Sequence, residues 1–220
     1  MRNVMTDLND ENFLKGDFHI HTQYSGDAKG EIEEVLQKSR ENKLDFIAIT
    51  DHNQVKGAFE AKELGSKFDL NVIVGEEIKT SSDTDIIGLF LDKRIQPGLP
   101  EDKVIKEVHD QGGLVIAPHP FSFYRGGIGD RISDYDIDYV EIYNGLSMFW
   151  ENRRAYKFSE KFNIPGIAGS DAHRPREIGI AYSIFREKRD IKNLNPIDSN
   201  IYLSRSFVNL GKRFIDRIRE

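Results

Sequence analysis

The sequence predicts one α/β domain whose strands close into a barrel, and three observations carry that expectation. Seven short apolar runs, several rich in Ile and Val without polar alternation, read as strands buried on both faces, as in a parallel sheet. Amphipathic helical stretches separate several of these runs, which gives repeated βα units. Of the 6 histidines, all but His109 lie within the first run or just beyond a later one, so that ligand-type side chains recur at strand ends far apart in the chain.

Taken in order, Phe18–His21 is the first strand. Glu31–Asn42 follows as a helix, with Ile32, Val35 and Leu36 on one stripe and acidic residues in the first turn, where the helix dipole favours them. Asp45–Thr50 is the second strand. The helix Gln54–Lys67 has the apolar face Val55, Ala58, Phe59, Ala61 and Leu64. Asn71–Gly75 and Asp85–Leu91 are strands. Pro100 precedes the helix Glu101–Gln111, and Gly112-Gly113 ends it. Leu114–Ala117, Tyr139–Tyr143 and Ile164–Gly169 complete the strands, with a helix over Phe149–Phe162 and a further extended segment over Ile178–Phe185. Lys212–Arg219 reads as a short basic helix packed on the outside. Seven or eight strands suit a closed, irregular barrel, and an open doubly wound sheet is the competing arrangement. The stretch after the first strand, His21 to Asp27, carries no glycine-rich nucleotide loop, which counts against that competitor. Phe121–Asp136, with Gly126, Gly127 and Gly129, is the longest expected loop and a candidate lid.

The 220 residues make one domain over 1–220, with a motif-bearing core at about 16–185 and a C-terminal segment, 186–220, packed on it. Absence of cysteine excludes disulfides and thiolate metal sites, leaving His nitrogen and Asp/Glu oxygen as ligands. The net charge of −6 speaks against nucleic acid as a stable partner. No run approaches the roughly 20 apolar residues of a membrane span. Met1 to Lys15 is polar and has no signal-peptide core, so a cytoplasmic location with no membrane partner is expected. Nothing in the chain sets an oligomeric state.

In a barrel the C-terminal strand ends converge on one face. His19 and His21, two apart on a strand, point to the same side. His52, Glu77, His119, Asp171 and His173 each fall at or just past a later strand. Burying so many ionisable groups without a metal would be costly. Plainer readings remain for their neighbours: Asp51 as the cap of the Gln54 helix, His109 as a surface residue, Glu141 and Tyr143 as barrel filling and rim, Arg125 and Arg174 as surface charges.

These residues resemble the four motifs of the polymerase-and-histidinol-phosphatase (PHP) family of metal-dependent phosphoesterases, in order from Gly16 to about Phe185. His19-Ile20-His21 with the trailing Asp27 resembles the first motif and Thr50-Asp51-His52 the second. Pro118-His119-Pro120-Phe121 resembles the third, and Gly169-Ser170-Asp171-Ala172-His173 the fourth. Gly75-Glu76-Glu77-Ile78 is similar to the family's bridging-glutamate segment, with Glu77 as the bridge. The resemblance implies a distorted (β/α)7 barrel. It also implies that His19, His21, Glu77 and Asp171 hold one metal, that Glu77 bridges to a second on His119, and that Asp27, His52 and His173 hold a third. Zinc, manganese and iron all suit such N and O ligands. Asp85 stands where the family often has histidine, so two or three divalent ions are expected.

The implied activity is hydrolysis of a small phosphorylated metabolite or nucleotide by a metal-bridging hydroxide. Asp171 and His52 are the expected catalytic groups, with Arg125, Asn144 and Arg174 as substrate contacts. The alternatives are an amidohydrolase-like metal hydrolase, which also opens with His-x-His on a barrel strand, and a metal-stabilised module without turnover.

Overall fold

The computed structural model describes residues 14–185. The expected Lys212–Arg219 helix and the packing of 186–220 lie outside the described residues. The elements are β1 (Leu14–Ile20), α1 (Ile32–Glu41), β2 (Phe46–Ile49), α2 (Lys56–Gly65), β3 (Asn71–Lys79), β4 (Asp85–Leu89), α3 (Glu101–Asp110), β5 (Leu114–Ala117), β6 (Tyr139–Asn144), α4 (Phe149–Phe162), β7 (Gly166–Gly169) and β8 (Ser183–Phe185).

They form one 8-stranded sheet in the order β7-β6-β5-β4-β3-β2-β1-β8. The sheet curls until its edges nearly meet. Past the end of β7, Asp171 N donates to His19 O at 2.7 Å and His21 N to Ala172 O at 2.9 Å. The result is the barrel the sequence predicted, nearly closed.

Its strands are not all parallel. β3 is the reason. Its first half, Asn71 to Val74, pairs parallel with Phe46 to Ile49 of β2. Its second half, Gly75 to Lys79, pairs antiparallel with β4. The turn between β3 and β4 is closed by Thr80 N donating to Thr84 O at 2.8 Å, with Asp83 at φ 63°. So short a link cannot hold the dozen or more residues of a parallel crossover, so β4 must run back. β4 is also antiparallel to β5, and β8 to β1.

Strand alternation divides the apolar residues into two layers. Phe18, Phe46, Ala48, Ile73, Ile87, Leu89, Ile116 and Ile167 pack together, filling the barrel below its polar end. Ile47, Ile49, Val74, Ile86, Val115 and Val140 pack outward with Leu36, Ala58, Val104 and Phe158 of the four helices. Asp17, fully buried, locks the closure: its carboxylate accepts from Ser170 N at 2.8 Å and from Gly179 N at 2.9 Å. Burial pushes that carboxyl up to about 6, against these hydrogen bonds.

Candidate metal centre

The inward positions of β1, β3 and β6 and the turns after β2, β5 and β7 place the motif residues around one mouth. His19 and His21 bring their Nε2 atoms within 3.0 Å. Glu77 Oε2 lies 3.3 Å from each of them. Asp171 Oδ1 lies 3.5 Å from His19 Nε2 and 3.3 Å from His21 Nε2. Ligands at about 2.1 Å from a tetrahedral ion stand about 3.4 Å apart, so these separations fit the edges of such a shell. The donor chemistry, two imidazoles and two carboxylates, fits as well.

The other oxygen of Glu77 points elsewhere: Oε1 is 2.9 Å from His119 Nε2. On the far side, Asp27 Oδ2 lies 3.2 Å from His173 Nε2 and 3.5 Å from His52 Nε2. His52 Nδ1 is in turn 3.1 Å from Glu77 Oε2. Three groups of ligand atoms are close enough to share an ion: His19 with His21 and Asp171, His19 with Glu77 and His119, and His21 with His52 and His173. Seven of the eight ligand candidates of the sequence fall in these groups, and Asp27 joins them through His52 and His173. The third group adds a juxtaposition, His21 with His52 and His173, that motif spacing did not show. Glu77 lies inside β3 rather than at its end, because β3 runs on past Gly75 as a hairpin arm.

Two of these residues occupy left-handed backbone that only glycine adopts freely, His119 at φ 29° and Asp171 at φ 55°. Each such residue costs on the order of 1–3 kcal/mol and persists where neighbours enforce it. Here they do: His119 N donates to Glu141 Oε2 at 2.6 Å, and Asp171 N to His19 O.

The charges are strongly coupled. Burial opposes a proton on His19, but Asp171, Glu141 and Glu77 outweigh it and raise its pKa well above the ordinary value. Burial also opposes the charge on Asp171 and on Glu77, yet His19, with Arg125 beside the former and His119 beside the latter, holds both carboxyls well below their usual range. His21 is lowered to about 3, by burial first and then by neighbouring His173 and His19. His52 is raised to about 10, Asp27 and Glu77 prevailing over burial.

Around the ligands stands a set of positioning groups. Glu141 Oε1 lies 3.0 Å from His19 Nδ1, fixing the ring from behind as carboxylates do for metal-bound histidines. Asn144 Nδ2 donates to Glu141 Oε2 at 2.9 Å and to Asp171 Oδ2 at 3.2 Å. Glu141 therefore exceeds the barrel-filling role expected of it. Its signal was a buried charge between Val140 and Ile142 in an otherwise apolar strand. Ser25 was missed too: its hydroxyl is 3.0 Å from His21 Nδ1 and donates to Asp51 Oδ1 at 3.0 Å.

Two sequence expectations need correction. Asp51 does not cap the following helix, which starts at Lys56 with Val55 as its first flanking residue. It accepts instead from Thr22 N at 2.6 Å and Thr22 Oγ1 at 2.8 Å, tying the His21 turn to β2. His109 is half-buried rather than a plain surface residue, its Nε2 2.9 Å from Asp138 Oδ2. Arg174 is not among the residues lining the cavity described next.

That cavity, about 1030 Å³, opens over the ligands and is lined by Asp27, His52, Glu77, His119, Asp171 and His173. Arg125, from the loop after β5, reaches into it. Its Nη1 bonds Asp171 Oδ2 and, at 3.2 Å, Asn144 Oδ1, while Nη2 donates to Ser147 Oγ at 2.7 Å. Asp85 also lines the cavity but joins none of the ligand groups.

Fold and site define an α/β barrel protein with a cluster of histidines and carboxylates, able to hold metal ions, at one end of its strands. The chain belongs to the PHP domain family, whose model matches residues 17–158, and a "PHP-associated" model matches residues 149–202. It is 41% identical over 141 residues to the uncharacterised protein MJ1587 of Methanocaldococcus jannaschii, covering 60% of this chain and 82% of that one. It is 23% identical over 187 residues to a phosphoribosyl 1,2-cyclic phosphate 1,2-diphosphodiesterase of Eggerthella lenta, covering 62% and 70%. Among solved structures, it superimposes on a two-domain protein from Bacteroides vulgatus containing a predicted PHP-like metal-dependent phosphoesterase. The TM-score is 0.66 at 18% identity, over 84% of this chain and 61% of that chain. Among the described residues no helix is long and apolar enough to cross a membrane.

Proposed function

We propose that this chain is a metal-dependent phosphoesterase acting on a small phosphorylated metabolite or nucleotide. The observation that carries the reading is the spacing of His19, His21, Glu77 and Asp171: the two imidazole nitrogens stand 3.0 Å apart, and each lies 3.3–3.5 Å from an oxygen of each carboxylate. Asp27, His52 and His173 are the ligands of a second ion. Divalent ions bound there would lower the pKa of water and neutralise phosphoryl charge.

The chain's own groups do the rest. Glu77, with one oxygen toward His19 and the other toward His119, ties the ligand groups together. Asp171, kept ionised by its neighbours, would accept a hydrogen bond from the attacking water and orient it, since a carboxyl held so low is a weak base. Arg125, fixed by Ser122, Ser147, Asn144 and Asp171, keeps one Nη2–H and its positive charge for a phosphoryl oxygen at the mouth. Asn144 sets both Arg125 and Asp171 and acts by positioning. Phe123 and Tyr124, in T-shaped contact at 5.4 Å, line the same cavity and offer ring surface to a nucleotide base. The Eggerthella relative, whose name specifies a cyclic phosphodiester, supports including diesters among the candidate substrates.

The test is phosphate release from a panel of phosphomonoesters, phosphodiesters and short oligonucleotides after reconstitution with manganese, zinc or iron. Release from one class, lost in His52→Ala, is the expected result. Undiminished turnover by His52→Ala at full metal content would refute the assigned site, and no release from any class would refute the activity.

A further inference from the structure

One corner of the cavity carries its own cation. Lys79 and Asp85 face each other across the β3–β4 hairpin, one inward position beyond the Glu77–Ile87 pair. Residues two apart on a strand share a face and lie about 7 Å apart, so Lys79, Asp85 and Glu77 all present to the interior. Lys79 Nζ stands 2.6 Å from Asp85 Oδ1, and Asp83 Oδ1 lies 3.8 Å from the same ammonium on its outer side. The other oxygen of Asp85 accepts from Gly126 N at 3.0 Å, while Asp85 N donates to Gly126 O at 2.6 Å. Asp85 Oδ2 is thus hydrogen-bonded, while buried Oδ1 has no hydrogen-bond partner and is held by the ion pair with Lys79. Gly126 is pressed against the pair: a Cβ there would meet Asp85 Oδ2 at 2.6 Å and Lys79 Nζ at 2.9 Å.

Beside this pair, Glu77 Oε1 and His119 Nε2 form the edge of the ligand cluster. Among the described residues, the only further residue grouped with them is His19, which also belongs to the group with His21 and Asp171. His119 and one oxygen of the shared Glu77 are too few for an ion that ordinarily takes three or four ligands from the protein. The carboxylate that would complete the set is Asp85, and it is turned onto Lys79 and the Gly126 N–H. A divalent ion at this corner would lose that ligand and face an ammonium of like charge.

We propose that the Lys79 ammonium, held by Asp85, stands in for a metal ion at the Glu77–His119 corner and supplies the positive charge there for a substrate phosphate. The chain then binds two divalent ions, not three. Lys79 is a substrate-binding residue and Asp85 the residue that positions it. The ion count stands on the ligand geometry alone, while the phosphate contact rests on the phosphoesterase reading above.

The deciding measurement is metal content of the full chain by elemental analysis after dialysis against excess zinc or manganese. Wild-type protein and Lys79→Arg are expected to hold two ions, and Lys79→Met, which releases Asp85 toward His119, three. The double variant Lys79→Met/Asp85→His leaves no unpaired buried carboxylate and should also hold three, so the comparison survives a folding defect in the single variant. Three ions in the wild type, or two in the double variant, overturns the inference. Phosphate binding is measured by calorimetry at two equivalents of metal, with inorganic phosphate as the probe. Lys79→Met should weaken it about tenfold and Lys79→Arg leave it near the wild-type value. Equal affinity in wild type and Lys79→Met removes the substrate role. Absence of phosphate binding by the wild type counts against the phosphoesterase reading, and the ion count still decides the inference.

Discussion

Glu141 braces the centre from below. It holds His19 through Nδ1 and the backbone N–H of His119 through its second oxygen, so one carboxylate orients two ligand residues. Glu141→Gln keeps the volume but removes the charge and turns an N–H₂ group toward one of these donors. Partners of this kind are worth about 10–100-fold in metal affinity. A loss of that size is expected in competition titration against a chelator, and unchanged affinity would show that His19 needs no such brace. At this scale the clustering of the candidate ligands was legible because histidine and carboxylate are unusual at the ends of apolar runs. Glu141 and Ser25 were not, because their importance lies in what stands behind them. Glu141 becomes a partner of His19 only when residues 122 apart in the chain are brought together. Asp51 was misread for the same reason: a lone Asp before a helix suggests a cap, and nothing local shows that Thr22 claims it first.

The strands meet the site through close packing. A Cβ on Gly169 would lie 2.3 Å from His19 Cβ and 2.7 Å from Glu141 Oε1. Gly169→Ala must therefore push β7 away from β1 or turn His19 off Glu141. The expected outcome is a lower melting temperature together with weaker metal binding, read by calorimetry and chelator competition. A variant as stable and as metal-competent as the parent would show that β1 and β7 have room to spare. The helices and most strands were legible within a few residues, since their apolar spacing is strong. The direction of β4 was not drawn from the sequence. Charge at Glu76 and Glu77 made β3 seem to end at Gly75, which hid the hairpin pairing of its second half. Once β3 reaches Lys79, only residues 80–84 remain before β4, and a hairpin is the single option.

For the molecule as a whole, acidic character is concentrated where it is useful. The net charge of −6 is modest, but the mouth gathers Asp27, Glu77, Asp85, Glu141 and Asp171, and protonated His19 and His52 partly balance them. Metal ligation requires neutral imidazole, so those protons must leave as ions bind. Their pKa values are raised, so the proton-bound, metal-free form is favoured at low pH. Apparent metal affinity should rise as pH increases toward the His52 value of about 10. Calorimetric titration in two buffers of different ionisation enthalpy measures the released protons directly, and affinity independent of pH with no proton release would contradict this assignment. The barrel class was legible from the count and character of the apolar runs. Closure was expected with it, but the groups that make it were not, because Asp17 and the backbone bonds between β1 and the turn after β7 join residues far apart in the chain.

That closure has a consequence for the order of events during synthesis. Asp17 and Ser170 are 153 residues apart, and the His19–Asp171 backbone bond spans almost the same stretch. A chain emerging N-terminus first presents the His19–His21 pair early, but that pair has no Asp171 until the last inner strand has emerged and come back to the first. Contacts of such long range form late and slowly. An ion held by His19, His21 and Asp171 as proposed would therefore be captured only once the barrel has shut.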